Sequence, residues 1–394
     1  MKKRLVVFVS VFAAVCALCF LPLFNAAGAR ALPDFRDGSP GFSLLGEAPE
    51  NSARSMALID AASGRLIYAK NENERRGMAS TTKIMTALVV IENCSARETV
   101  AVPKEACGTE GSSVYLREGE KLTVEELLYC LLLESGNDAA VALALHCAGS
   151  VEAFAELMNE RASELGLENT RFANPHGLSA KDHYTTAYDL AHITRAAFEY
   201  PLFAEIVGTK RKSVPLGGVP DGRALTNHNK LLFNYGGALG VKTGYTTGDG
   251  KCLVSAAERD GLRLICVTLR DGLPWETHRT LLDSAFADYR RAEIAPPHGI
   301  ITDIPLEGGE SAFITAANPA AEYVTLPKGE GFYLELEAPE SICAPVEKGA
   351  VIARAKVVCG GETVYIIDLE ALRDEAARRK SLWEIIKEKL FGKD

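Results

Sequence analysis

Beyond its first thirty-one residues the chain contains no C-x-x-C pair, and nowhere does it contain H-E-x-x-H or G-x-S-x-G. The first absence argues against a zinc ribbon or a dithiol redox motif, the second against a zincin, the third against a histidine-based nucleophile elbow. There is no low-complexity tract and no basic stripe with interleaved aromatics. With a net charge of -9, nucleic acid is not an expected partner. What remains is a globular composition, 47% hydrophobic and 24% charged, in 394 residues. That length suffices for a large core and two domains.

The N-terminus carries a basic Met1-Lys2-Lys3-Arg4, an apolar run from Leu5 to Phe24, and two overlapping small-residue sites, Ala27-Gly28-Ala29 and Ala29-Arg30-Ala31. This pattern is that of a secretory signal peptide over residues 1–31, cleaved after Ala29 or Ala31. The length of the apolar run also fits an uncleaved anchor. Either way the body is expected outside the cytoplasm. Ten cysteines less the two in this leader leave eight, several inside apolar runs. Buried free thiols are the plain expectation, with disulfides as the alternative.

Residues 32–50, rich in Pro, Gly and Asp, read as a linker. Two apolar runs, Ser55–Asp60 and Arg65–Lys70, flank a Gly-containing turn and predict a β-hairpin. A buried helix is expected from Ser80 to about Ile91, with further helices at Val124–Glu134, Asp138–Cys147, Val151–Leu165 and Thr186–Phe198. Short apolar runs at Ala238–Lys242, Lys251–Glu258 and Leu262–Arg270 predict antiparallel strands, and Glu276–Arg291 a closing helix. The hairpin and these strands are expected to share one sheet. The helices would form a lobe beside it, and the cleft would lie at the junction. After Pro296-Pro297-His298-Gly299, alternating runs such as Tyr323–Leu326, Phe332–Leu336 and Val351–Val358 predict a small all-β domain with a spacing or binding role. From Leu369 to Phe391, apolar residues at 3.6 spacing, Trp383 among them, and basic flanks predict an amphipathic helix. It would lie on a membrane surface, dock on the β-domain or dimerise.

Chemistry concentrates in three motifs. In Ser80-Thr81-Thr82-Lys83, a hydroxyl and an amine at i, i+3 share one helix face, which suits a serine nucleophile served by a lysine base. Ser80 has lysine at +3, and no other serine does. Ser135-Gly136-Asn137 forms a turn between two apolar helices. Lys242-Thr243-Gly244 stands at the end of an apolar strand and occurs once. S-x-x-K with S-D-N and K-T-G marks class A β-lactamases and penicillin-binding proteins, and here the three motifs stand in that order with S-G-N in the middle place. His176, His183 and His228 read as loop-packing residues.

With these motifs the chain resembles the low-molecular-mass penicillin-binding proteins that act as serine-type D-Ala-D-Ala carboxypeptidases, peptidase family S11. The resemblance covers nearly everything after the leader, including Gly111-Ser112-Ser113, Asn174-Pro175-His176-Gly177-Leu178, Asn227–Leu232 and Gly240–Thr246. It implies an α/β (α+β) fold of the β-lactamase/transpeptidase type. The expected organisation is a catalytic domain at 51–292, a small β-domain at 293–367 and an amphipathic helix at 368–394 on the outer face of the cytoplasmic membrane. By resemblance, Ser80 attacks the carbonyl between two D-alanines and Lys83 takes its proton. Ser135 relays a proton to the leaving D-alanine, and Asn137 orients the substrate amide and the Lys83 amine. Lys242 and Thr243 hold the terminal carboxylate. The Ser80 and Tyr245 N–H groups form the oxyanion hole. Outside the resemblance, Arg270 near the strand end is a weaker candidate for carboxylate binding. The implied substrate is a peptidoglycan stem peptide ending in D-Ala-D-Ala, with β-lactams as covalent inhibitors and no cofactor or metal. The middle motif is Ser-Gly-Asn, not the Ser-Asp-Asn more typical of β-lactamases, and no glutamate takes the deacylating role of class A lactamases. The alternatives are a D,D-endopeptidase on cross-links, a β-lactamase with the same site, or a non-catalytic muropeptide-binding membrane protein.

Overall fold

Alternating apolar residues build the first hairpin. β1 (Ala53–Asp60) and β2 (Leu66–Lys70) pair antiparallel, and Asp60 closes the turn by accepting from the Ala62 and Ser63 N–H groups. The structure, a computed structural model, describes residues 46–378. The expected signal peptide and most of the linker lie outside these residues.

The remaining strands of the first sheet come almost two hundred residues later. They are β7 (Ala238–Thr246), β8 (Gly250–Arg259) and β9 (Leu262–Asp271), in the antiparallel order β2-β1-β9-β8-β7. The expected union of the hairpin with the later strands in one sheet is what the chain forms. β7 runs four residues past the expected end, so Lys242-Thr243-Gly244 lies within a strand, paired with Val254, Leu253 and Cys252.

Between hairpin and late strands sit the helices. These are α1 (Lys83–Asn93), α2 (Val124–Leu133), α3 (Asn137–Ala148), α4 (Val151–Glu164), α5 (Ala187–Ala197), α6 (Pro201–Gly208) and the short α7 (Leu231–Asn234). α1 is buried continuously from Lys83 to Val90, as its all-round apolar sequence requires. α2 begins at a capping box in which Thr123 accepts from the Glu126 N–H and Glu126 accepts from the Thr123 N–H. α5 lies against β1 and β9, and α8 (Pro274–Asp288) covers the other face of the sheet. There Met56, Leu58, Leu264, Cys266, Leu281 and Phe286 form one core. Minor pairs are β3 (Thr99–Ala101) with β4 (Lys121–Thr123), and β5 (Arg211–Leu216) with β6 (Val219–Thr226). The β5–β6 hairpin went unread in the sequence because most of its residues are solvent-exposed and carry no apolar alternation.

α8 stops at Asp288, three residues short of the expected Arg291. Tyr289–Ala295 is β10, paired with β13 (Glu322–Pro327), and Tyr289 packs edge-on against Tyr68. A second sheet holds β11 (Ile301–Glu307), β12 (Phe313–Ala317), β14 (Phe332–Glu337), β15 (Ile342–Cys343), β16 (Val351–Cys359) and β17 (Glu362–Ala371), in the order β14-β16-β17-β12-β11-β15. Its core contains Ile304, Ile314, Leu326, Val357, Ile367 and Leu369.

The helix expected from residue 368 does not begin there. Ile367, Leu369 and Ala371 alternate with exposed Asp368 and half-buried Glu370, and Leu369 is fully buried in the sheet core. Period two wins because β16 offers a full antiparallel partner. The chain then adds bridges from Glu375 to Val346 and from Ala377 to Gly309. The rest of the expected helix lies outside the described residues.

Candidate active site

Ser80 sits on a 3-10 turn, Ala79–Thr82, that feeds directly into α1 at Lys83. Three residues per turn eclipse i and i+3, so the hydroxyl and the amine superpose more closely than on an α-helix. Lys83 Nζ lies 3.0 Å from Ser80 Oγ, 2.6 Å from Asn137 Oδ1 and 2.6 Å from the His176 carbonyl oxygen. The Lys83 side chain is fully buried. Burial, and secondarily the Lys242 ammonium, push its pKa well below the usual lysine range, while Asp138 opposes the shift.

The contacts of Lys83 dictate how its neutral amine points. Asn137 Oδ1 and the His176 carbonyl only accept hydrogen bonds. The Asn137 amide cannot flip, because its Nδ2 donates to the Glu110 carbonyl at 2.6 Å. A neutral amine has two N–H groups and one lone pair. The two N–H groups are taken by these carbonyls, so the lone pair is left facing the Ser80 hydroxyl.

Two glycines clasp the Ser80 turn. A Cβ on Gly177, which has φ +91, would lie 2.0 Å from the Ala79 carbonyl oxygen, and one on Gly244 would lie 3.0 Å from the Ser80 nitrogen. Thus the Asn-Pro-His-Gly loop and the Lys-Thr-Gly strand each use glycine to reach the Ala79–Ser80 backbone. The loop is shaped by Asn174, whose Oδ1 accepts from the His176 and Gly177 N–H groups while Nδ2 donates to the Leu178 carbonyl. It docks on α1 through Thr86, which donates to the Pro175 carbonyl at 2.6 Å.

Ala79 itself adopts φ +47, a strained conformation for a residue with a Cβ. Two groups hold it there. Asp249 Oδ2 accepts from the Ala79 N–H at 3.2 Å, and Thr82 Oγ1 donates to the Ala79 carbonyl at 2.8 Å. Thr82 in turn is 2.8 Å from His183 Nε2, whose Nδ1 accepts from the Ala173 N–H at 3.0 Å. This chain of bonds needs neutral His183 with its proton on Nε2, and burial lowers its pKa to about 4. Sequence reading missed Asp249 and His183 as supports, since no local spacing connects them to Ser80, and it missed Thr82 because its bond to the Ala79 carbonyl forms only in the folded turn.

Ser135 has φ +62, and its buried Oγ has no hydrogen-bond partner. In this turn the serine, rather than Gly136, takes the left-handed conformation. Gly136 is needed instead for space, since a Cβ there would meet Asp138 Oδ1 at 2.8 Å. Asp138 accepts from Ser113 Oγ and from the Val114 and Leu116 N–H groups, and the Asn137 N–H donates to the Ser112 carbonyl. The Gly111–Ser113 loop is thereby tied to the first turn of α3.

Lys242 is also buried, and its Nζ donates to the Thr243 carbonyl at 2.9 Å. Burial lowers its pKa to about 7 against the opposing charge of Glu134. Glu134 accepts from the Thr226 N–H and faces His228 Nε2 at 3.2 Å. Thr243 is half-buried, and Tyr245 projects its ring into solvent at 66% exposure. Arg270 is exposed near the end of β9. Of the three histidines, His176 lends its carbonyl and His183 its ring to the Ser80 turn, while His228 pairs with Glu134. None bonds the Ser80 hydroxyl, which among the described residues contacts Lys83 and no carboxylate.

A family model described as D-alanyl-D-alanine carboxypeptidase, Peptidase S11, matches residues 44–272. The chain is 33% identical over 336 residues to the D-alanyl-D-alanine carboxypeptidase DacF of Bacillus subtilis, covering 82% of this chain and 86% of that protein. It is 32% identical over 337 residues to DacC of Escherichia coli, covering 81% and 83%. Its fold is similar to penicillin binding protein 5 from Haemophilus influenzae, with TM-score 0.75, 27% identity, and 83% and 98% coverage. Penicillin binding protein 6B from Escherichia coli gives TM-score 0.66 at 27% identity, with 84% and 98% coverage. The chain belongs to the D-alanyl-D-alanine carboxypeptidase family of serine peptidases, S11.

Proposed function

We propose that the protein removes the terminal D-alanine from peptidoglycan stem peptides through an acyl-enzyme on Ser80, with Lys83 as the general base. The observation that carries this is the Lys83 amine, buried and bonded to two obligate acceptors so that its lone pair faces Ser80 Oγ at 3.0 Å. Lys83 takes the hydroxyl proton as Oγ bonds to the carbonyl carbon between the two D-alanines. Charge on the carbonyl oxygen is received by the Ser80 and Tyr245 N–H groups. The C–N bond then breaks, and Ser135, whose hydroxyl has no other partner, passes a proton to the departing amine. Water hydrolyses the ester with Lys83 again as base.

Lys242, with Thr243 beside it, holds the substrate's terminal carboxylate. In the free enzyme its pKa of about 7 leaves it partly neutral, and an incoming carboxylate favours the charged form. Asn137 orients the substrate amide with its remaining hydrogen-bonding capacity.

Residues 51–292 form the catalytic domain in this reading, and the following β-sheet region spaces or docks it. The substrate is extracytoplasmic, which agrees with the basic, apolar leader. The sequence from 379 onward, with Trp383, Ile386 and Leu390 among lysines, supplies a membrane-surface contact.

Incubation with labelled penicillin tests the site. A stable adduct mapped to the Ser80 peptide, lost in Ser80→Ala, together with D-alanine release from a pentapeptide, is the expected result. No adduct, or an adduct surviving Ser80→Ala, overturns it. Cleavage of cross-linked dimers in preference to pentapeptide would make it an endopeptidase. Rapid penicillin turnover would make it a lactamase.

A further inference from the structure

The two helices that present Lys83 and Asn137 at their N-termini, α1 and α3, also come together at their opposite ends. Cys94 is the C-cap residue of α1, and His146 and Cys147 lie in the last turn of α3. A tight turn, with the Glu98 N–H donating to the Ser95 carbonyl, returns Glu98 to the same place. The ligand atoms of Cys94, Glu98 and His146 all lie within 4.8 Å of one another. Cys147 follows His146 on the same turn, and its thiol interacts with the Cys94 thiol.

We propose that Cys94, Glu98, His146 and Cys147 form a structural site for a zinc-type divalent cation. Two thiolates, an imidazole and a carboxylate are a donor set that suits Zn²⁺, whose bonds of about 2.3 Å to sulfur and 2.0–2.1 Å to nitrogen set donors about 3.3–3.8 Å apart. Cys94, Glu98 and His146, within 4.8 Å of one another, would have to close by at most about 1–1.5 Å, with Cys147 turning in as the fourth donor.

The backbone is already fixed. The Cys94 N–H donates to the Val90 carbonyl, the Glu98 carbonyl accepts from the Val124 N–H, and Ala96 accepts from the Glu125 N–H. Glu98 is oriented too. Its Oε1 accepts from the Ser95 N–H at 2.8 Å, while Oε2 is 2.9 Å from His146 Nε2. Binding would expel the thiol protons of Cys94 and Cys147 and replace the Glu98–His146 hydrogen bond by bonds to the metal. All four groups are half-buried or exposed, so a cation has access from solvent. The site would staple the far ends of the helices whose near ends carry the 2.6 Å Lys83–Asn137 bond. It stands independently of the proposed reaction.

The test uses the purified full chain, thiols reduced, with Zn²⁺ and Co²⁺ as probes. The expected results are about one equivalent of zinc retained through dialysis and thiolate-to-cobalt charge-transfer absorption on Co²⁺ loading. Zn²⁺ should also raise Tm by a few degrees, reversibly with chelator. Cys94→Ser and His146→Ala should each lose the metal and the Tm shift while still forming the penicillin adduct, which shows that they fold. Failure of the reduced protein to bind either metal, or wild-type retention of zinc in Cys94→Ser, overturns the proposal. So does a Cys94–Cys147 disulfide found by peptide mapping of the protein as isolated, since it would consume both thiols.

Discussion

The two sheets of this molecule treat polar groups in opposite ways. Around the first sheet and its helices the interior admits Lys83, Lys242, Asp138, Asn137, His183, Asp189 and His278, each under 8% exposed. Among the described residues from Tyr289 onward, the buried polar side chains are Asn318, Thr325 and Glu375. Burying charge is costly unless every group is bonded or neutralised. The half that holds Ser80 meets that cost with a linked network in which burial pushes the Lys83 pKa well below the usual lysine range. The β-sheet half has a conventional apolar core and no such network, which fits a spacing or docking role.

Removing the centre of the network should have the largest effect. Lys83→Ala should lower the rate of penicillin acylation by about 10²–10⁴-fold. A matched change of a buried β-sheet residue, Ile314→Ala, should cost about 2–5 kcal/mol of stability yet leave the acylation rate of the folded fraction unchanged. Stopped-flow acylation and denaturant titration separate the two.

Glycine substitutions sharpen the contrast at lower amplitude. Gly177→Ala drives a Cβ into the Ala79 carbonyl and should cost about 1–3 kcal/mol and slow acylation at least tenfold. Gly361→Ala, with φ +85 but open space around it, should cost about 1 kcal/mol of stability and leave acylation intact. Equal losses of acylation in both would show that the clasp on Ser80 is not specific. Asp249→Asn keeps an acceptor for the Ala79 N–H but removes the charge, and should reduce kcat about tenfold or less with little change in KM. An unchanged kcat would show that the charge of Asp249 contributes nothing to holding the nucleophile.

The smallest effect concerns acid. His176, His183 and His278 are held neutral by burial, with pKa lowered to about 4, 4 and 3 from 6.5. Their contribution is complete above pH 6.5. As pH falls below that value the unfolded chain gains protons that the folded form does not, so stability declines until about pH 4, where the folded state begins to protonate. The half that holds Ser80 should therefore lose structure first on acidification, seen as loss of penicillin binding and of amide protection in β8 and β9 before loss of amide protection in β16 and β17. Simultaneous loss would contradict the division.

Much of this was legible in the sequence, for reasons particular to each element. Ser80 and Lys83 are separated by one turn, and Lys242 and Ser135 sit in short motifs, so local spacing exposes them. The sheet was legible because its strands alternate or run apolar between Gly and Asp. Asp249 and His183 were not, because their work is done across folds of the chain, 170 residues apart for Asp249 and Ala79; Thr82 lies inside the Ser80 motif, but its bond to the Ala79 carbonyl exists only in the folded turn. Leu369 was misread because Ile367, Leu369 and Ala371 satisfy a strand while Leu369, Leu372 and Ala376 satisfy a helix, and only the presence of β16 decides between them. Likewise the approach of Cys94 to Cys147 follows from the packing of α1 beside α3, which their separation in sequence conceals.

The central claim is that Lys83 works as a neutral amine at physiological pH. The most direct measurement is the acylation rate constant at saturating penicillin against pH, since saturation removes the binding role of Lys242. The expected rate reaches its plateau well below the ordinary lysine value of 10.5 and declines on the acid side as Lys83 gains a proton. A rate that keeps climbing about tenfold per pH unit toward the ordinary lysine value of 10.5 would contradict it.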